Sequence, residues 1–95
     1  MRVTWDDKKN AANKRKHGIS LVEAAALLES DHHLVLFDET HSDDEDRFIS
    51  IGPIVRGVVL VVWTERRVDE VRIISARFAT TAERQLFEQH VAGKP

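Results

Sequence analysis

The segment VVLVVWTERRVDEVRIISARF, residues 58–78, decides the fold. Its first six residues are apolar at odd and even positions alike, the pattern of a strand covered on both faces, and VVLVVWT (58–64) is therefore expected as the central strand of a sheet. TERR (64–67) then places Glu65, Arg66 and Arg67 in a charged turn, and EVRIISARF (70–78) is rich in the branched residues that favour strands. Two such runs joined by a short polar link read as an antiparallel hairpin.

Upstream, RFISIGPI (47–54) and HLVLF (33–37) extend the same meander, and RVTW (2–5) alternates like a short first strand. Between them lie two helix signatures. Asp6 or Asp7 caps a helix that runs to His17 and stops at Gly18. Ser20 and Glu23 form a capping box, followed by Leu21, Ala24, Ala25 and Leu28 at helical spacing. Thr80 and Glu83 form a second capping box, opening a terminal helix through about His90 with Leu86, Phe87 and Val91 at its apolar positions. The expected class is α+β: an antiparallel sheet of about four to five strands, with two helices before it and one after. No linker or repeat divides residues 1–95, which are expected to form a single domain.

The chain has no cysteine, so disulfides and thiolate catalysis are excluded and a reducing cytoplasm is the expected location. The opening MRVTWDDKKN lacks the apolar core of a signal peptide, and the longest apolar run is too short to span a bilayer. No membrane association is expected. The net charge of −2 is unevenly distributed, since residues 1–18 carry six Lys/Arg against Asp6 and Asp7. NKRKHGIS (13–20) is the densest part, and Lys9, Asn13, Lys16 and His17 fall on one helical stripe. The same cations also serve as ordinary solubilising groups. FDETHSDDED (37–46) reads as a solvated acidic connection.

In RIISAR (72–77), strict alternation puts Arg72 and Arg77 on opposite faces. One is then expected to pair with an acid such as Glu65 or Glu70, leaving the other for substrate. Arg77, at the junction with the capped helix, is the candidate, although an ion-pair arginine looks the same in sequence. No metal site is expected: His32 and His33 on an extended segment point apart, and no zinc-type spacing accompanies Asp31, Asp38 or His41. No cofactor motif appears, and no serine-hydrolase signature accompanies Ser75.

The chain carries WD at 5–6, N-x-x-KHG at 13–18, E-A at 23–24, HS-x-x-E-x-R at 41–47, IG at 51–52, TER at 64–66, RIISAR-x-AT at 72–80 and ER at 83–84. As an ordered set these motifs resemble the BrnT family of type II toxins, small ribonucleases of RelE-like fold. The resemblance implies an endoribonuclease that inhibits translation. It also implies neutralisation by a BrnA-type antitoxin with a ribbon-helix-helix DNA-binding domain, through which alone operator DNA is contacted. Metal-free RNA cleavage requires a proton acceptor for the 2′-hydroxyl and cations for the anionic phosphorane. The expected catalytic residues are His17, Glu65, Arg66 and Arg77, with Lys9, Asn13, Lys16 and Arg67 binding substrate. Members of this family often carry a tyrosine after the E-R pair, where this chain has Phe87, expected as packing against the sheet; with no tyrosine present, a phenol-dependent step is excluded. The competing reading is a non-catalytic interaction module that acts with a DNA-binding partner in transcriptional autoregulation.

Overall fold

Local chemistry sets the element boundaries in the computed structural model, which describes residues 1–41 and 44–93. The order is β1 (Arg2–Thr4), α1 (Asp7–His17), α2 (Leu21–Glu29), β2 (Leu34–Phe37), a 3-10 turn (Glu39–His41), β3 (Arg47–Ile54), β4 (Gly57–Arg67), β5 (Glu70–Phe78) and α3 (Thr81–Ala92). The strands form one sheet in the order β1-β5-β4-β3-β2, with β4 at its centre. The expected class is α+β, and three helices with a five-stranded sheet bear it out. None of the described helices is long and apolar enough to cross a membrane.

Three details depart from the sequence expectation. First, β2 to β5 are antiparallel neighbours, whereas β1 lies beside β5 in parallel, with Val3 opposite Val71. The sheet is mixed because its first and last strands meet, a pairing of distant segments that local pattern does not encode. Second, TERR is strand rather than turn: Thr64, Glu65 and Arg67 pair with Arg72, Val71 and Glu70. The chain reverses at Val68 and Asp69, where Asp69 takes φ 68°, a left-handed conformation that aspartate tolerates.

Third, β5 is bulged. Val62 pairs with Ser75 and Trp63 with Ile73, so Ile74 is an extra residue that shifts the alternation by one. Ile73 and Ala76, three apart, consequently both face the core and are each 1% exposed. Arg72 and Arg77 pair with Thr64 and Leu60, which share one face of β4, so the two arginines look the same way rather than oppositely.

The core lies between α2 and the other face of the sheet. Leu21, Ala24, Leu27 and Leu28 pack with Ile19 against Val59, Val61, Val71 and Ile73. Burying each leucine contributes about 1.5–3 kcal/mol. Gly52 admits the helix at this point: a Cβ there would fall 2.7 Å from the Leu27 side chain and 2.7 Å from the His32 carbonyl oxygen.

Helix α1 has no apolar face to bury and is held by a polar device. Pairing with β1 ends at Arg72, leaving the outer edge of β5 without a strand. There the Asn13 amide substitutes for one: Nδ2 donates to the Ala76 carbonyl at 2.8 Å, and Oδ1 accepts from the Ala76 N–H at 3.0 Å. Nδ2 also donates to the Ile19 carbonyl at 2.8 Å, tying the loop after α1 to the same point. Gly18, at φ 75°, ends the helix in the left-handed conformation, and its carbonyl accepts from Arg56 Nη2. Arg56 also binds Glu23, joining the end of α1 to the cap of α2.

Candidate active site

The end of α1 and the bulged segment of β5 enclose a groove of about 240 Å³, lined by Lys9, Ala12, Asn13, Lys16, His17, Ile74 and Ser75. Helical spacing carries Lys9, Lys16 and His17 to the groove, and the bulge exposes Ile74 and Ser75 to them. Lys9 and Lys16 are exposed, while His17 is half-buried. The imidazole makes no hydrogen bond to the described residues and remains available to a ligand. Asn13 belongs to the wall, but its amide is consumed by three backbone bonds and the residue is 7% exposed. It shapes the groove rather than reaching into it.

The two arginines of β5, outside the groove lining, differ in their partners. Arg77 forms a two-pronged pair with Glu83, at 2.8 Å for both Nη1–Oε1 and Nη2–Oε2. The Arg77 guanidinium, with the Thr80 N–H in support, holds the Glu83 carboxyl down at about 2. Arg77 thereby latches the start of α3 to the end of β5. Arg72 donates to no carboxylate among the described residues: its Nε donates to Thr4 Oγ1 at 3.3 Å, and Asp6 feels its charge without a hydrogen bond. Of the two acids expected to neutralise Arg72, Glu70 is engaged elsewhere, accepting from Arg2 at 2.6 Å and Thr4 at 3.1 Å, and Glu65 lies on the opposite face. Ion pairing thus falls on Arg77, and Arg72 is the cation that sequence reasoning passed over.

Glu65, Arg66 and Arg67 lie apart from the groove, around a cleft of about 610 Å³ at the β4–β5 turn. Val71 lies opposite Glu65, and Arg77 is six positions further along β5, about 20 Å away. The hairpin cluster and Arg77 are therefore at opposite ends of the strand. Arg67 pairs with Glu70 and faces the side of Arg72, whereas Glu65 pairs with core-facing Val71 and looks the other way. Arg66 is the extra residue of a second irregularity, between Glu65 and Arg67. The structure brings together Lys9, Asn13, Lys16 and His17, brings Ser75 to them, and leaves Glu65, Arg66, Arg67 and Arg77 outside the groove lining.

Phe87 shares the half-buried stripe of α3 with Glu83 and His90, at the spacing of residues turned towards the sheet. Among the described residues no three His, Asp or Glu side chains are grouped to hold a metal ion. His32 is exposed, and His33 places Nδ1 2.8 Å from the Leu27 carbonyl oxygen. Of the HS-x-x-E-x-R segment, Ser42 and Asp43 lie outside the described residues.

A mixed five-stranded sheet covered on one face by α2, with α1 along the part of β5 that β1 leaves unpaired and a cationic, histidine-bearing groove between α1 and β5, defines a small α+β domain suited to an anionic ligand. The family model for the BrnT ribonuclease toxin of type II toxin-antitoxin systems matches residues 5–83, and the chain belongs to that family. The fold is similar to that in a crystal structure of the Brucella abortus ribonuclease toxin BrnT, with TM-score 0.68 and 23% identity over 85% of this chain and 99% of that one. A search of curated proteins gave no match.

Proposed function

We propose that the chain is an endoribonuclease toxin that cleaves RNA by metal-independent acid–base chemistry in the α1–β5 groove. The observation that carries this reading is the imidazole of His17, without a hydrogen bond among the described residues, standing with Lys9 and Lys16 against Ser75. His17 accepts the proton of a 2′-hydroxyl as that oxygen attacks the adjacent phosphorus; the bond from phosphorus to the 5′-oxygen breaks, and the departing oxygen takes a proton from solvent. The products are a 2′,3′-cyclic phosphate and a 5′-hydroxyl. Lys16 and Lys9 stabilise the charge on the phosphorane. Arg77 is a positioning residue, because its two-pronged pair with Glu83 already satisfies the geometry a phosphate would use.

Arg72 and Arg67 share a face and continue the cationic track away from the groove, where they bind flanking phosphates. Arg66 adds charge at the turn. Glu65, on the opposite face, takes no part in proton transfer. By cutting RNA the toxin inhibits translation in the cytoplasm. A BrnA-type antitoxin with a ribbon-helix-helix domain neutralises it and carries the complex to operator DNA.

Incubation of the purified chain with a defined RNA in excess chelator tests the chemistry. Fragments ending in a cyclic phosphate, and their loss in His17→Gln at unchanged circular dichroism, are the expected result. Intact RNA, or 3′-hydroxyl ends that require added divalent metal, would refute it.

A further inference from the structure

The end of the sheet remote from the groove carries a feature that RNA cleavage does not use. Strand β2 is the sheet's terminal strand, and its outer side pairs with no described strand. The Asp38 N–H donates to the Arg47 carbonyl, which makes Asp38 and Arg47 a hydrogen-bonded pair across β2 and β3. Bonded pairs alternate in an antiparallel ladder, so Leu36 and Leu34 also turn their backbone towards β3. Val35 and Phe37 must then direct N–H and C=O outwards.

Their side chains share the face of Trp63 and are 46% and 49% exposed. Phe37 meets Phe48 edge-on at 5.6 Å, and Phe48 stacks on Trp63 at 4.6 Å, giving a partly open aromatic row across three strands. Beside it lies a hollow of about 150 Å³ lined by Met1, Leu28, His33, Val35, Trp63 and Val71. Apolar anchors and an unpaired backbone edge thus occur together.

Charge selects the occupant. No lysine or arginine lies between Lys16 and Arg47, while Glu29, Asp31, Glu39, Asp44 and Asp46 are exposed on the segments that flank β2 and open β3. A second copy of this chain paired edge to edge would oppose these acids with their own equivalents. RNA would meet the same repulsion. We infer that the β2 edge docks an extended, cationic segment of the antitoxin, which adds as a strand beside Val35 and Phe37 and seats alternate apolar side chains on the Trp63 face.

This inference rests on the toxin-antitoxin reading. The groove borders β5 and the docking edge is β2, three strand spacings or about 14 Å away across the sheet. The segment therefore anchors the antitoxin without itself filling the groove.

Hydrogen exchange on the toxin alone and in complex with the antitoxin that neutralises it tests the proposal, and binding is scored without RNA. A failed ribonuclease reading would leave the binding result standing. Val35 and Phe37 amides are expected to exchange at least about tenfold more slowly in the complex. Val35→Pro, which removes an outward donor and no ladder bond, is expected to weaken antitoxin binding by about tenfold or more. Asp31→Lys with Glu39→Lys, a surface double variant independent of backbone geometry, is expected to do the same while leaving RNA cleavage unchanged. Protection confined to the α1–β5 groove, wild-type affinity in the charge-reversed variant, or a toxin homodimer that protects β2 without antitoxin would overturn the proposal.

Discussion

Replacing Asn13 by alanine separates a structural from a substrate-binding role at the position that anchors the basic helix. The side chain makes three hydrogen bonds of 2.8, 2.8 and 3.0 Å to backbone groups of Ile19 and Ala76, residues that are 0% and 1% exposed. Alanine leaves one N–H and two carbonyls without protein partners. A buried polar group left unsatisfied costs about 1–3 kcal/mol, and entry of water beside the groove holds the total near the lower end for each, about 3–4 kcal/mol. For a domain of this size that corresponds to a fall in Tm of about 15–25 °C. Chemical denaturation of both proteins, followed by circular dichroism, measures the loss directly. Below the transition, the affinity of folded Asn13→Ala for RNA is expected to stay within about threefold of wild type, because no phosphate contact has been removed. A stability change under about 1 kcal/mol, or a collapse of RNA affinity in fully folded protein, would refute the assignment.

Glu83→Gln is expected to cost about 1–2 kcal/mol at neutral pH, a figure discounted because the Arg77 side chain is 39% exposed. The folded Glu83 carboxyl is held at about 2 against an ordinary 4.5, so its contribution is present above about pH 5 and fades as pH falls from 4.5 towards 2. The wild-type stability profile should accordingly show an acid limb that Glu83→Gln lacks, and coincident profiles would count against the latch. Gly52→Ala is expected to lower stability by about 1–3 kcal/mol in urea, as the new methyl would lie 2.7 Å from the His32 carbonyl; a neutral substitution would show that α2 and its following loop give way freely. If Lys9, Lys16, Arg67 and Arg72 each neutralise a phosphate, binding of single-stranded RNA should fall with salt at a log–log slope of about −3, with Arg72→Ala reducing it by about 0.7; an unchanged slope in Arg72→Ala would remove that residue from the track.

The parts of the fold legible in sequence are those written locally. Ser20 with Glu23, and Thr80 with Glu83, form the capping boxes that their spacing announces, and Asp6 and Gly18 bound α1. The run from Val58 to Trp63 lies in the central strand because only burial on both faces accommodates unbroken apolarity. The parallel pairing of β1 with β5 was not legible, since it joins residues 2–4 to residues 70–72. Nor was the bulge at Ile74, where no glycine or change in composition marks the additional residue. That bulge exchanged the expected arrangement of the arginines: it turned Arg72 and Arg77 to one face and left the ion pair to Arg77. The basic stripe on α1 correctly gathered Lys9, Lys16 and His17, but helical spacing says nothing about what an asparagine on that stripe binds. Arg56 escaped notice because its partners, Gly18 and Glu23, lie far from it along the chain.

The proposed chemistry puts cleavage at the α1–β5 groove and not at the β4–β5 turn. Single-turnover cleavage rates of His17→Gln and Glu65→Gln, at equal folded fraction and saturating enzyme, test it most directly. A loss of at least about 100-fold is expected for His17→Gln, and a change within about threefold for Glu65→Gln. A rate preserved in His17→Gln but abolished in Glu65→Gln would contradict it and move the active centre to the turn.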